Sequence, residues 1–349
     1  MLRHGACLGG MGRAAQFFTP LIEKHCRVPG VVCLSADRGG SDRFEASWAA
    51  KTHATAAALQ RCLRLLVLCR PDALYLPISQ WGLPLLRDLF VVVCARAVGS
   101  ARVVHLHGAQ LPARLAKSRA LRIVLAGAHW IVLSEEVAEE LRVGSCRTAS
   151  VTVVRNPAPP RDLSPSRRPG PPRVLRVGWL GTMSRAKGFD LLCAAVARLK
   201  SRGVRLEFRV AGMRHDVPPS HTAVVDEDLG VLRPEQVSSF WAETDVAVLP
   251  ARWVEGLPFV LLEGLQAGCA VAVTPSPGCA ELLGHGCVDV VEATVDSVAG
   301  FLTGCCHDLE EIRRRQQKAW EALRPLYRPE RVEEAFARFW RNGELGWHP

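Results

Sequence analysis

Two glutamates eight positions apart are the residues of this chain best placed to do chemistry. Glu255 lies in a loop after the apolar run Val246–Leu249, which has the length of a strand, and Glu263 lies in the helical segment that follows. Loops at the carboxyl ends of parallel strands are where open α/β sheets bind ligands. Carboxylates there can accept hydrogen bonds from sugar or ribose hydroxyls. With 21 glutamates in the chain, such a spacing arises about once by chance. The prediction of a site therefore depends on where the two glutamates lie relative to the predicted strand and helix.

The elements that must position this pair can be read from the flanking residues. Pro258 suits the first turn of a helix, where no backbone hydrogen bond is lost. Gly268 suits a left-handed helix cap, and Ala270–Val273 is a second apolar run of strand length. The segment therefore predicts a strand, an acidic loop, a helix and a second strand.

A second candidate is the loop Gly181–Gly188, with the sequence GTMSRAKG, between a predicted strand at 174–179 and a predicted helix at 189–200. Unpaired N–H groups at a helix start, the helix dipole and the charge of Lys187 would together attract a phosphate. An ordinary strand-to-helix loop with a surface lysine would have the same sequence. Both interpretations stay open at this point.

The first half of the chain offers weaker signals. His105 and His107 in VVHLHG share one face of a predicted strand, so one could enter a site while the other is structural. The glycines of Gly9–Gly12 suit either a close approach to a ligand or a tight turn. Asp226–Asp228 forms an Asp-x-Asp pattern that arises easily by chance, and we set it aside.

Composition and charge limit the classes of function. The chain has 349 residues, 48% of them apolar, which suits two α/β domains of ordinary size. Residues 1–160 carry 20 Lys and Arg against 10 Asp and Glu, whereas residues 161–349 carry 24 against 24. The basic first half predicts an acidic partner, namely a membrane surface or an anionic acceptor, although scattered arginines that keep a domain soluble are the alternative. Without a dense basic cluster interleaved with aromatic residues, we expect no nucleic acid.

Cysteine usage and hydropathy point to the cytoplasm. The 13 cysteines are irregularly spaced and mostly lie in apolar segments, so we expect reduced core residues rather than metal ligands or disulfides. No apolar run approaches the roughly 20 residues that cross a bilayer, and the first ten residues lack the apolar core of a signal peptide. A cytoplasmic protein, peripheral on the inner face of the membrane, is the resulting expectation.

Apolar strands alternate with helical patterns on both sides of a proline-rich break at 156–172. Such alternation predicts a parallel sheet with helices on both faces in each half. The predicted strands are 30–35, 73–78, 102–106, 130–133, 151–154, 174–179, 205–211, 246–249 and 270–273, and the predicted helices are 45–68, 83–97, 113–126, 135–143, 189–200, 235–243, 309–323 and 329–340.

As a set, these segments resemble the family-4 (group 1) retaining glycosyltransferases. Their glutamate, seven-residue, glutamate pattern corresponds to Glu255 and Glu263 in EGLPFVLLEGLQAG, and their Gly-x-x-Glu turn to Gly278–Glu281. Their strand, glycine loop and Lys-Gly element corresponds to LGTMSRAKG, which ends at Lys187-Gly188. The resemblance is strongest over 174–283, and further matches are His107-Gly108, Ser134, Asn156-Pro157 and the N-terminal glycine loop.

Two positions depart from the family pattern. Thr182 stands where the family usually has an arginine that contacts the donor diphosphate, and Arg185 is the nearest candidate to replace it. The first strand is also short, because only eight residues precede Gly9. Both departures bear on catalytic competence.

The resemblance implies a GT-B architecture: an α/β fold of two facing Rossmann-like domains with parallel sheets and a C-terminal helical tail. It implies an acceptor-side domain at 1–157, a linker at 158–173, a nucleotide-sugar domain at 174–328, and a final helix at 329–349 packing back on the first domain.

The resemblance also implies roles for individual residues. Lys187 would bind the donor diphosphate, Glu263 the ribose, and Glu255 the transferred sugar near its reacting centre. The remaining site residues implied are Gly181, Thr182, Arg185, Gly256 and Leu257 on the donor side, His107 as a catalytic residue, and Gly9 and Gly10 on the acceptor side. Fixed positive groups would stabilise the leaving diphosphate, so neither a metal nor a cofactor is expected.

The function implied is transfer of a sugar, with retention, from a nucleotide-sugar donor to a saccharide or lipid-linked acceptor in cell-envelope polysaccharide or glycolipid biosynthesis. The expected partners are that donor, that acceptor and an anionic membrane contacted by the basic half. Two alternatives remain: a GT-B epimerase or phosphorylase, and a non-catalytic protein that binds sugar nucleotides, which Thr182 motivates.

Overall fold

The chain forms two compact units in a computed structural model that describes residues 2–3, 10–28, 30, 32–33, 48–144, 146–159 and 174–341. The N-terminal unit comprises Met1–Asn156 together with Glu330–Pro349, and the C-terminal unit comprises Pro157–Pro329. Within the described ranges, no helix has both the length and the apolar character needed to cross a membrane.

The N-terminal unit is built on parallel strands. The short strands β1 (Leu2–Arg3) and β2 (Val32–Cys33) pair with each other, and β3 (Ala73–Pro77), β4 (Ala101–Leu106), β5 (His129–Val132) and β6 (Ser150–Val153) form a parallel sheet in that order. The helices are α1 (Gly10–His25), α2 (Trp48–Cys69), α3 (Gly82–Ala97), α4 (Leu111–Lys117), α5 (Arg119–Leu125) and α6 (Glu135–Val143).

One predicted helix is wrong in this unit. The segment 113–126 was expected to be continuous, but Ser118 adopts an extended conformation and separates α4 from α5. The Ser118 hydroxyl accepts a hydrogen bond from the backbone N–H of Leu121 at 3.3 Å, so it caps the second helix. Serine competes well for helix starts because its side chain replaces a missing backbone partner, and an apolar period alone does not reveal this.

The C-terminal unit contains a six-stranded, fully parallel sheet. Its strands are β7 (Leu175–Leu180), β8 (Leu206–Ala211), β9 (Glu227–Asp228), β10 (Val246–Leu249), β11 (Ala270–Val273) and β12 (Asp289–Val290), in the order β12-β11-β10-β7-β8-β9. Its helices are α7 (Phe189–Ser201), α8 (Pro219–Thr222), α9 (Pro234–Ala242), α10 (Phe259–Gln266), α11 (Ala280–Gly284) and α12 (Val295–Leu323). Single 3-10 turns occupy Pro277–Cys279 and Arg324–Tyr327.

A glutamine from α12 completes the hydrogen bonding of β11. The Gln316 side chain is fully buried, accepts from the backbone N–H of Val271 at 2.8 Å and donates to its carbonyl at 2.9 Å. Since β12 pairs with β11 only from Ala272 onward, Val271 has no strand partner on that side among the described residues. The amide therefore satisfies a backbone edge that would otherwise be buried without partners.

The last helix, α13 (Pro329–Arg341), belongs to the N-terminal unit from Glu330 onward. Its Phe336 is fully buried and its ring centroid lies 5.1 Å from that of Phe18 on α1 and 6.2 Å from that of Tyr75 on β3. Lys24 on α1 forms an ion pair with Glu333 at 2.6 Å. Residues more than 300 positions apart thus form one core.

Candidate active site

The site in the C-terminal unit is formed by two loops that follow neighbouring strands. Strands β7 and β10 pair in parallel, so the loop after β7 (181–188) and the loop after β10 (250–258) emerge at the same edge of the sheet. Gly188 has a φ of +78°, and a Cβ placed on it would lie 2.0 Å from the carbonyl oxygen of Pro250. Only glycine allows this approach, so the two loops are in direct backbone contact.

Arg252 holds the two loops together. Its guanidinium donates to both carboxylate oxygens of Asp190 at 2.7 and 3.0 Å and to the carbonyl of Arg185 at 2.6 Å. The backbone N–H groups of Arg252 and Trp253 also donate to the carbonyl of Ala186, at 3.0 and 3.2 Å. Bidentate arginine–carboxylate pairs are directional, so these contacts set the position of one loop relative to the other. The sequence interpretation missed Arg252, because nothing local distinguishes it from a solvated loop arginine.

Lys187 and Glu255 meet across these loops. The ammonium of Lys187 donates to a carboxylate oxygen of Glu255, and the Lys187 side chain is 40% exposed while that of Glu255 is 13% exposed. The structure thus brings together the residue predicted to bind the diphosphate and the residue predicted to contact the transferred sugar. A half-exposed lysine remains accessible to an anion, and the carboxylate beside it stays largely desolvated.

Glu263 lies deeper. It sits on α10 among Leu261, Leu262 and Leu265, is only 3% exposed, and accepts a hydrogen bond from the indole N–H of Trp241 at 3.0 Å. Pro258, which was expected in the first turn of this helix, is instead its N-cap with an extended backbone, whereas Gly268 follows the helix with the expected left-handed φ, at +77°. The buried indole contact fixes one oxygen of the carboxylate and so the orientation of the whole group.

The Gly-x-x-Glu turn packs directly behind the acidic loop. A Cβ on Gly278 would lie 2.1 Å from the carbonyl group of Gly256, and the Cys279 thiol contacts the same carbonyl oxygen at 3.6 Å. Burial raises the pKa of the Cys279 thiol to about 12, and the charge of Glu255 acts in the same direction. Leu257 is 3% exposed, so it serves as an apolar anchor for the loop.

The other predicted donor-side residues surround the start of the Gly181–Gly188 loop. The Gly181 carbonyl accepts from the Trp179 indole at 3.2 Å, and Thr182 is half-buried beside it. The backbone N–H of Arg185 donates to Asp216 at 2.8 Å, whereas its side chain is exposed and forms no hydrogen bond or ion pair with a described residue. The Arg185 side chain can therefore turn toward a ligand beside Thr182.

The two histidines at the end of β4 and directly after it differ in burial. His105 is fully buried, its Nδ1 lies 2.5 Å from the Tyr75 hydroxyl, and its ring lies 4.9 Å from that of Phe18. Burial lowers the pKa of His105 well below its usual 6.5, and the neighbouring His107 lowers it further. His107 is only half-buried at the end of β4 and stacks on His105 with ring centroids 4.0 Å apart. His105 is the structural residue, and His107 remains the candidate for the acceptor side.

A polar cluster that sequence reasoning missed lies at the same edge of this sheet. The Gln80 side chain accepts from the backbone N–H of Gln110 at 2.8 Å, and the Trp81 indole donates to the Gln110 side chain. The Arg114 guanidinium lies 4.5 Å from the centroid of the Trp81 ring. In the sequence, only Gly108 could have indicated this cluster, because a Cβ at that position would overlap the Gln80 amide. These side chains add hydrogen-bonding groups beside His107.

The residues predicted at the N-terminal glycine loop are only partly described. Gly10 is the first residue of α1, and Gly9 lies outside the described residues. Ser134 caps α6 by accepting from the backbone N–H of Val137 at 3.3 Å, which accounts for it structurally. In the part of the chain that the structure describes, no three His, Cys, Asp or Glu side chains are grouped in a way that would hold a metal ion.

The two aspartates of the Asp-x-Asp pattern are engaged in structural contacts. Asp226 accepts from Lys200 at 2.5 Å and from the backbone N–H of Phe208 at 2.6 Å. Asp228 forms an ion pair with Arg214 at 2.6 Å. These contacts support leaving the pattern out of the site.

Comparisons with known proteins show that part of the sequence is similar to glycosyltransferases. Residues 173–310 match the family described as "Glycosyl transferases group 1". The amylovoran biosynthesis glycosyltransferase AmsK of Erwinia amylovora is 24% identical over 152 residues. That match covers 40% of this chain and 37% of AmsK, so the chain matches well under half of the length of this relative.

Solved structures resemble nearly the whole chain. HepE of Anabaena, in complex with UDP and glucose, has a TM-score of 0.65 and 16% identity, over 92% of this chain and 88% of that one. WaaG, a glycosyltransferase involved in lipopolysaccharide biosynthesis, has a TM-score of 0.64 and 14% identity, over 98% and 99%. Sucrose-phosphate synthase of Thermosynechococcus elongatus has a TM-score of 0.68 and 13% identity, over 93% and 85%. The expected GT-B fold is thereby confirmed.

Proposed function

We propose that this GT-B chain, whose residues 173–310 match the group 1 glycosyltransferases, moves a sugar from a nucleotide-sugar donor to a saccharide or lipid-linked acceptor with retention of configuration. The name of AmsK supports a place in cell-envelope polysaccharide or glycolipid biosynthesis. The complexes of HepE with UDP-glucose support a nucleotide-sugar donor.

The observation that carries the proposal is the contact between Lys187 and Glu255, on loops that Arg252 and Gly188 hold together. A diphosphate that binds Lys187 and the N-terminal end of α7 would compete with the Glu255 carboxylate for the Lys187 ammonium. Once released, the Glu255 carboxylate is free to contact the sugar attached to that diphosphate. Donor binding and the exposure of Glu255 would thus be a single event.

The remaining roles follow from position. Glu263, oriented by Trp241, would accept hydrogen bonds from the donor ribose. Lys187 would stabilise the charge that develops on the leaving diphosphate, so we propose that the reaction requires neither a metal nor a cofactor. On the acceptor side we propose His107 and Gly10, and Arg185 and Thr182 near the phosphates. EDTA should then leave the transfer rate unchanged.

The test is a panel of nucleotide sugars, with binding measured by calorimetry and slow donor hydrolysis measured by release of the nucleoside diphosphate. The Glu255→Gln variant keeps the size of the side chain but cannot form the ion pair with Lys187. It should lose at least about 100-fold in turnover and retain nucleotide binding, since catalytic electrostatic contacts are typically worth this much. Glu243→Gln is the matched control, because Glu243 is an exposed glutamate of the same unit paired with Arg209.

Three outcomes would contradict parts of the proposal. No binding and no hydrolysis with any donor would refute the transferase assignment. Full turnover in Glu255→Gln would refute the role of that residue. An NMR spectrum in which the anomeric proton of the first-formed product reports the inverted configuration would refute retention.

A non-catalytic protein that binds sugar nucleotides is the second candidate, and Thr182 in place of the family's arginine favours it. Binding of a donor without turnover would support this candidate. Turnover of the donor with phosphate alone, or epimerisation of its sugar, would favour a phosphorylase or an epimerase instead.

A further inference from the structure

The outward face of α3 carries a continuous apolar stripe. Leu83, Leu86, Phe90 and Val93 are 67%, 62%, 47% and 47% exposed, and their spacing of three and four residues places them on one side of the helix. We call these four residues the α3 apolar face. The opposite side of the helix is buried in the core through Leu85, Asp88, Val91, Val92 and Ala95. A surface helix normally turns polar residues outward, and this apolar face is covered by no other part of the chain that the structure describes.

The neighbouring helices extend the apolar surface. The Arg96 guanidinium at the end of α3 donates to the carbonyl of Ile123 on α5 at 3.2 Å, and the Ile123 side chain is 57% exposed. On the other side, α2 packs against α3, and its Val67 and Leu68 are 61% and 79% exposed. Three adjacent helices thus present apolar side chains to solvent.

The same helices are strongly basic. Residues 48–125 contain 11 Lys and Arg but only two acidic residues, Asp72 and Asp88. Asp88 is buried and its charge is neutralised by the adjacent Arg87. Exposed basic side chains that form no ion pair with a described residue are Arg61, Arg64, Arg70, Lys117 and Arg119. Positive charge therefore predominates on the helices that carry and adjoin the apolar face, whereas the glutamates of α6 lie on a helix that packs against α4.

We propose that the α3 apolar face and the basic residues of α2, α4 and α5 bind the surface of an anionic lipid bilayer. Apolar side chains would insert below the headgroups while the lysines and arginines contact the lipid phosphates, which is the division of labour in interfacial helices. At 16 residues, α3 is about 24 Å long and suited to lie in the plane of the surface. A second copy of the chain fits less well, because it would bring two basic surfaces together.

The placement of α3 relates this surface to the acceptor edge of the unit. The helix begins five residues after β3 ends, and Trp81, immediately before it, contacts the Gln110 side chain that follows β4. The apolar face therefore starts beside the edge at which His107 lies. A bilayer bound along α3 would present a lipid-linked molecule close to that edge. The proposal concerns membrane binding alone and stands whether or not the chain transfers sugar.

The test is sedimentation of the full-length protein with vesicles of phosphatidylcholine, with and without phosphatidylglycerol. We expect binding to the anionic vesicles only, and weaker binding as the salt concentration rises. The Leu86→Gln/Phe90→Gln variant should bind at least about tenfold more weakly, because two inserted apolar side chains are lost. The Val143→Gln/Val290→Gln variant is the matched control, since both of these valines are exposed apolar residues elsewhere, at 77% and 60%.

A second variant tests the charged part of the surface. Lys117→Gln/Arg119→Gln removes two exposed cations and should weaken binding about fivefold for each residue, with a shallower dependence on salt. Absence of wild-type binding, or equal binding by wild type and Leu86→Gln/Phe90→Gln, would overturn the proposal. So would a dimer in sedimentation velocity that this variant abolishes while vesicle binding is missing, since the occupant would then be a second copy. Unchanged thermal unfolding of the variants excludes misfolding as the cause of any loss.

Discussion

Replacement of Arg252 by methionine should lower the turnover rate much more than it changes KM for the donor. Methionine keeps much of the length of the side chain but removes the bidentate pair with Asp190 and the hydrogen bond to the Arg185 carbonyl. The two backbone hydrogen bonds to Ala186 remain, so the loop after β10 should stay attached but less precisely placed. Glu255, three residues further on, would then lose its fixed position relative to Lys187.

The expected effect on stability depends on how exposed the Arg252–Asp190 ion pair is to solvent. The Arg252 side chain is 39% exposed and that of Asp190 is 11% exposed, so solvent weakens the pair relative to a buried one. We therefore expect a loss of about 1–2 kcal/mol in the free energy of unfolding. The effect on transfer should be larger, because a misplacement of about 1 Å near the reacting atoms can lower the rate on the order of 100-fold. We expect kcat to fall about 10- to 100-fold with KM for the donor changed less than about threefold.

The assay is steady-state transfer or donor hydrolysis, together with urea unfolding of each variant. Arg252→Lys should lie between wild type and Arg252→Met, since lysine keeps the charge but not the bidentate geometry. Arg315→Met is the matched control, because Arg315 also contacts both oxygens of an aspartate, Asp289, at 2.7 and 2.8 Å, but joins α12 to β12 instead of the two loops. If Arg252→Met and Arg315→Met lowered stability equally and left kcat unchanged, the positioning argument would be refuted.

Two further predictions concern single residues. Gly188→Ala and Gly203→Ala should each lower the free energy of unfolding by about 1 kcal/mol. The reason is that alanine is strained in the left-handed backbone conformation of these positions, at φ values of +78° and +80°. Gly188→Ala should lose roughly 1–3 kcal/mol more in urea unfolding, since its Cβ would meet Pro250 while nothing lies near a Cβ on Gly203; equal losses would contradict the loop contact. Below pH 6.5 an unfolded His105 binds a proton that the buried residue does not, so the free energy of unfolding should fall by up to about 1.4 kcal/mol per pH unit as the pH decreases. His105→Asn should lose this part of the pH dependence, and an unchanged slope would show that the buried ring does not cause it.

Local patterns predicted several elements of both units well. Strands β10 and β11 and helix α6 have the predicted bounds, and Gly268 has the left-handed conformation expected of it. These features depend on apolar runs, caps and turn residues, whose effects act within a few positions of the chain. The order of strands and helices in both units was also predictable, because apolar strands alternate with helical patterns along the sequence.

Contacts between distant segments could not be predicted in this way. Arg252 reaches Asp190, 62 positions away, and Trp241 fixes Glu263 from another helix, yet neither residue stands out in its own segment. The division of the predicted helix at Ser118 depends on a side-chain cap that competes with helix continuation. The exposed side of α3 escaped notice because an apolar sequence does not reveal which of its residues face the core.

The packing of α13 against α1 has a consequence for synthesis. Phe18 is made before the C-terminal unit and Phe336 after it, yet their rings contact each other in one core. The C-terminal unit is a continuous stretch, Pro157–Pro329, so its core needs no residue that is made after it. The N-terminal unit therefore keeps part of its core uncovered until α13 has been made. Production of residues 1–156 alone should therefore yield a protein prone to aggregation, and adding the helix as a separate peptide should improve its solubility.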